Sequence, residues 1–128
     1  MSTAILDHIG IGVRDLAASK RFYEHALAPL GIELVLEFPF AVGFGVGGKP
    51  EFWLRGEGGA ERVHVAFRSP DRRTVDAFHD AAMAAGGTDN GKPGVREIYH
   101  PGYYGAFVLD LDGHNVEAVC HEHPDVAA

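Results

Sequence analysis

The stretch that decides the fold is His8-Ile9-Gly10-Ile11-Gly12-Val13, together with its echo His64-Val65-Ala66-Phe67 further along the chain. The two segments lie 56 positions apart, and the same shift superimposes Asp15 on Asp71, Phe22 on Phe78, Ala26 on Ala82 and Gly31 on Gly87. Self-similarity at a fixed offset is the mark of a repeated structural unit. The pairs fall in one order: strand, helix cap, helix face, helix stop. A lone α+β domain with an accidental self-match is the plainer alternative.

Working outward, Ile5 to Val13 is apolar and β-branched and reads as a strand. Asp15 is placed to cap a helix whose apolar face runs through Leu16, Phe22-Tyr23 and Ala26-Leu27, and Pro29 and Gly31 end it. Three strands follow, at Ile32 to Phe38, Ala41 to Val46 and Glu51 to Arg55, separated by Pro39 and by Gly47-Gly48. The second half repeats the order. Arg62 to Arg68 is a strand, Asp71 caps a helix through Ala85, and Val95 to Tyr99, Tyr104 to Asp110 and Asn115 to His121 are three more strands. Asp112-Gly113 signals a hairpin between the last two. The expected fold is α+β: two tandem βαβββ modules, approximately 1–58 and 59–128, forming a half-open mixed β-sheet cup within one domain.

Alternation within strands sorts the ionisable residues. His8 shares a face with Gly10 and Gly12, whereas Ile9, Ile11 and Val13 point the other way, where a helix must cover them. His64 likewise opposes Val63 and Val65, and Glu117 opposes Val116, Ala118 and Cys120. Matching Pro50-Glu51-Phe52 to Val116-Glu117-Ala118, at a larger offset of 66, pairs Glu51 with Glu117 and allows about ten extra residues in the second half. Two histidines and two glutamates would then gather near one pseudo-two-fold axis. Neutral imidazole and carboxylate together suit borderline divalent ions such as Zn, Ni, Co, Mn or Fe. Open coordination positions would let such an ion act as a Lewis acid. The bland alternative is that the histidines are hydrogen-bonded core residues and Glu51 a surface strand residue.

The quoted motifs, extended by Asp15-Leu16, by Ser19 with Phe22-Tyr23, and by Asp110-Leu111-Asp112-Gly113-His114-Asn115-Val116-Glu117, resemble the vicinal oxygen chelate superfamily. That superfamily includes glyoxalase I, extradiol dioxygenases, fosfomycin-resistance transferases and bleomycin-resistance proteins. The resemblance implies a glyoxalase-like fold and one divalent ion held by His8, His64 and Glu117, with Glu51 at the fourth-strand place. It implies a homodimer and a small-molecule substrate whose neighbouring oxygens chelate the ion. Isomerase or lyase chemistry is favoured, with Glu117 or Glu51 moving the proton, and dioxygenase chemistry is open. The rival expectation is a metal-free dimeric binding protein of the drug-sequestering resistance type.

Other residues have smaller roles. In His100-Pro101-Gly102-Tyr103-Tyr104-Gly105, a loop could close over substrate with Tyr104 donating to an oxyanion, or the segment is an ordinary turn. Phe38, Phe40, Phe44, Phe52 and Trp53 could line an apolar pocket, with only one of Phe52 and Trp53 facing it. His25, His79 and His114 are expected on solvated helix faces or a turn.

Composition excludes some classes. Net charge is −7 with histidines neutral, and no basic cluster exceeds Arg72-Arg73, so a nucleic-acid partner is disfavoured. No apolar run approaches the roughly 20 residues of a membrane span. One cysteine and no secretory leader pattern point to a cytoplasmic protein.

Overall fold

The structure is a computed structural model and describes residues 6–58 and 61–121; Ile5 lies outside that range. Two four-stranded mixed sheets carry one helix each. In the first half, strand β1 (Ile9–Gly12) leads into helix α1 (Leu16–Leu27), a short 3-10 turn (Ala28–Leu30), and strands β2 (Glu33–Phe38), β3 (Ala41–Val46) and β4 (Lys49–Arg55). The second half runs β5 (His64–Arg68), α2 (Arg72–Ala84), β6 (Thr88–Val95), β7 (Tyr104–Leu109) and β8 (Asn115–Cys120). The strand orders are β1-β4-β3-β2 and β5-β8-β7-β6, with the first and last strand of each half paired in parallel.

Both helix starts follow from their caps. The Asp15 carboxylate accepts from the Ala18 amide, and that of Asp71 accepts from the Thr74 amide, satisfying donors the helix leaves unpaired. Each helix lays its apolar side on its sheet, and the buried set is continuous across the halves. Phe22, Tyr23, Phe44, Phe52 and Leu54 join Val75, Phe78, Val108 and Val116 in one core.

One strand departs from expectation. Val95 to Tyr99 was expected to be the sixth strand, but β6 occupies Thr88–Val95 and residues 97–99 form a turn. Gly91, Pro93 and Gly94 hide the strand from a propensity reading. The sheet tolerates them because β6 is an edge strand, paired among the described residues only with β7, with its register interrupted around Gly91 and Gly94.

The register also corrects the alignment of the halves. Gly10 pairs with Trp53 and Gly43 with Trp53, whereas Ala66 pairs with Glu117 and Phe107 with Glu117. The residue of β4 equivalent to Glu117 is therefore Trp53, 64 positions away, and Glu51 corresponds to Asn115. The offset of 66 was one pleat too long.

The hairpins closing the two sheets differ. Val46 pairs with Lys49 around Gly47 and Gly48, both at positive φ (65° and 81°), a two-residue turn that matches strand twist. The equivalent connection, Asp110 to His114, is longer and polar. The buried Asp110 carboxylate accepts from Tyr23 Oη at 2.5 Å and from the amides of Asp112 and His114. Asp112 in turn accepts from the amide and Nε of Arg14. His114, expected on a solvated turn, is buried at 2% exposure. Its Nδ1 accepts from the Val63 amide and its Nε2 donates to the Gly12 carbonyl, which fixes the Nε2–H tautomer. His79 is buried as well and bonds Asp89 at 2.9 Å. Much of the Asp110–Glu117 motif thus fastens the second half to β1 and α1.

Candidate functional site

Glu117 sits mid-strand in β8 on the face turned away from α2, and it is 1% exposed. A carboxylate so buried requires partners, and it has two. His64, at the start of β5, brings Nε2 to 2.8 Å from Oε1. The Tyr103 hydroxyl makes a short hydrogen bond to Oε2. Burial, then the adjacent Glu117 carboxylate, pushes the Tyr103 phenol well above its usual pKa, so the proton stays on the phenol. Phe107 flanks His64, with ring centroids 6.0 Å apart. Arg96 lies over the Phe107 ring and donates to the Gly105, Gly94 and Lys92 carbonyls, locking the floor beside Glu117.

His8 immediately precedes β1 and is exposed. Its Nδ1 lies 2.8 Å from Asp7 Oδ1, and Lys49 Nζ lies 3.4 Å from the other carboxylate oxygen. Asp7 is held below the usual carboxylate range, chiefly by the His8 bond and next by Lys49. An imidazole anchored to carboxylate through Nδ1 presents Nε2 outward, the arrangement that orients histidine ligands. His8 and His64 line one cleft of about 500 Å³ with Glu51, Phe52 and Phe67. Among the described residues, no three His, Cys, Asp or Glu side chains are gathered closely enough to hold an ion.

Of the residues singled out in the sequence, His64 and Glu117 are therefore in contact, while His8 and Glu51 stand across the cleft on the other sheet. Glu51 is exposed and two residues short of the Glu117 equivalent. Tyr104 is not in this group. It pairs with Cys120, on the helix-covered face, and its hydroxyl donates to Asp76 of α2 at 2.6 Å. Burial and the Asp76 carboxylate push its pKa up to about 12. The tyrosine that reaches the site is its neighbour Tyr103. Strand parity could have found it: Gly105, Phe107 and Glu117 share a face, and Tyr103 continues that face outward.

The opposite sheet carries different side chains. On its corresponding face, Trp53, Phe38 and Phe40 stand with His8, Gly10, Ala41 and Arg55 around an open cleft of about 450 Å³. Phe52, by contrast, belongs to the core.

Comparisons with known proteins agree with this architecture. The model of the Glyoxalase/Bleomycin resistance protein/Dioxygenase superfamily matches residues 5–118, and the chain belongs to that superfamily. A glyoxalase/bleomycin resistance protein from Albidiferax ferrireducens T118 is 28% identical, with a TM-score of 0.79, covering 93% of this chain and 100% of that one. A lactoylglutathione lyase from Agrobacterium tumefaciens is 21% identical, with a TM-score of 0.70 and coverage of 94% and 95%. The oxidase ChaP-H2 is 22% identical, with a TM-score of 0.63 and coverage of 96% and 98%. No curated protein matches the chain. Among the described residues, no helix is long and apolar enough to cross a membrane.

Proposed function

We propose that the chain is a divalent-metal-dependent enzyme acting on a small molecule through two neighbouring oxygens, with isomerase or lyase chemistry favoured over dioxygen-dependent cleavage. The observation that carries this reading is the buried Glu117 carboxylate facing His64 Nε2 at 2.8 Å. An imidazole nitrogen and a carboxylate oxygen this close together are the donor types that suit a borderline divalent ion. His64 and Glu117 would hold it, with His8, oriented by Asp7, as the third donor and Glu51 as a fourth or as a base. When bound, the ion supplies Lewis acidity to the substrate oxygens.

The chain's own groups do the rest. Tyr103, protonated over the working range, holds Glu117 Oε2 and leaves Oε1 turned towards His64. Glu117, once released from His64, would take a proton from a substrate carbon and return it. His8 precedes the first strand of one sheet and His64 with Glu117 lies on the other, so a third donor would come from across the cleft or from a second chain. This supports a homodimer, which would bury on the order of 1,000 Å² or more in total. The exposed apolar residues Ile98, Tyr99, Val95 and Val46 are available to such a contact.

Dialysis against Zn²⁺, Ni²⁺ or Mn²⁺, followed by elemental analysis, tests the reading. One ion per chain is expected, lost in His64→Ala and Glu117→Ala and kept in His25→Ala. Glu51→Gln should lower turnover more than occupancy. Affinity should fall as the solution is acidified, because protons compete with the ion for its donors. Wild-type protein that takes up no ion, or a His64→Ala variant that retains it, overturns the proposal. The metal-free binding reading would then stand, favoured by the aromatic cleft on the first sheet.

A further inference from the structure

The cleft on the first sheet has a composition of its own. Phe38 and Phe40 flank the β2–β3 turn, their rings nearly parallel (15°) with centroids 5.6 Å apart. Phe38 is also nearly parallel to Trp53 (19°) at 6.2 Å. Large apolar rings are normally buried, yet Phe40 is 68% and Phe38 44% exposed. The backbone beneath is cut away to seat the indole: a Cβ at Gly43 would meet the Trp53 ring at 3.0 Å. Beside it lies Arg55, whose Nε would stand 3.7 Å from a Cβ at Gly10. No carboxylate among the described residues pairs with its guanidinium. His8 borders both this cleft and the one shared with His64.

Stacked rings accept another flat ring, because offset stacking is the favoured aromatic geometry. A guanidinium in the same cleft selects a planar anion such as carboxylate, which it can grip with two parallel N–H donors. We propose that the Trp53–Phe38–Phe40 cleft binds a planar aromatic carboxylate, its ring against the stack and its anionic group on Arg55. Neither an aliphatic acid nor a neutral aromatic satisfies both halves of the cleft. The assignment deepens the proposed function, since it rests on a small-molecule site bordered by His8 and names the class of molecule, but it needs no ion.

The test uses the intact protein and three probes: 2-naphthoate, 2-naphthylmethanol and cyclohexanecarboxylate. Calorimetry gives affinity. Because the chain has one tryptophan, its single indole N–H resonance reports contact at Trp53. Saturable binding of 2-naphthoate that shifts this resonance is expected. The neutral alcohol should bind about tenfold more weakly, and the aliphatic acid should leave the indole unmoved. Arg55→Ala should bring naphthoate down to the affinity of the alcohol without changing the alcohol itself. Arg73→Ala, which removes an equal charge on α2, should change neither. Phe38→Leu should weaken both aromatic probes. His64→Ala should retain naphthoate binding, so failure of the metal reading is told apart from failure of this one. Absence of a saturable indole shift, equal response to the aliphatic acid, or an unaltered affinity in Arg55→Ala overturns the proposal. So does a self-association that buries Trp53, is broken by Phe40→Asp and excludes the probes, which would make the face a contact between copies of this chain.

Discussion

At the middle of β4 stands Trp53, and at the equivalent point of β8 stands Glu117. Each lies on the uncovered face of its sheet, two positions along the ladder from a histidine, His8 in one half and His64 in the other. Around Trp53 the neighbours are Phe38, Phe40 and Gly43; around Glu117 they are Tyr103, Phe107 and Gly105. The closing hairpins diverge in the same way, with Gly47-Gly48 bare in one half and Asp110 to His114 heavily bonded in the other. Two copies of one scaffold carry different side chains at equivalent points. One face offers rings and a cation, the other a buried carboxylate with its proton donors, and only the second is tied back into the core of the first.

The hairpins break the comparison most sharply. Asp110→Ala leaves the Tyr23 hydroxyl, the buried His114 amide and the half-buried Asp112 amide without their acceptor, so a loss of about 3–5 kcal/mol is expected from chemical denaturation. Gly47→Ala should cost only about 1–2 kcal/mol, the strain of a left-handed residue. Similar losses at the two sites would mean that the second hairpin is no more structural than the first.

Tyr103→Phe should cost about 1–3 kcal/mol by leaving a buried Glu117 oxygen without its donor. It should also lower turnover while Tyr104→Phe spares it, and an indifferent Tyr103→Phe would separate the tyrosine from the site. The smallest effect is alkaline. Folded Tyr104 keeps its proton to about pH 12, whereas the unfolded chain releases it near 10. A raised folded-state pKa gives stability that is whole below the unfolded pKa and lost as pH climbs through the folded one. Stability should therefore fall between about pH 10 and 12, and Tyr104→Phe should flatten that slope in denaturation midpoints taken across the window.

How much of this was legible beforehand follows from which signals are local. The caps Asp15 and Asp71 and most of the strands announce themselves through side-chain chemistry and period-two alternation, and the histidine echo shows the repeat. Strand β6 does not, because its tolerance of Gly91, Pro93 and Gly94 comes from its place at a sheet edge. The match of Glu51 to Glu117 failed for a related reason. Like residues were aligned, whereas ladder register aligns an unlike pair, Trp53 and Glu117. Parity would have chosen Tyr103 over Tyr104. The burial of His114 could not be read, since both its partners, Gly12 and Val63, are distant in sequence.

The Asp110 knot bears on the chain's ancestry. A single repeated unit cannot bury its apolar face alone, and here Tyr23 and Arg14 of the first unit also complete the hairpin of the second. The second unit's His114 in turn holds the end of the first unit's opening strand. Neither half retains a finished interior, so severing the gene between them should yield two fragments that are insoluble apart and fold only when made together.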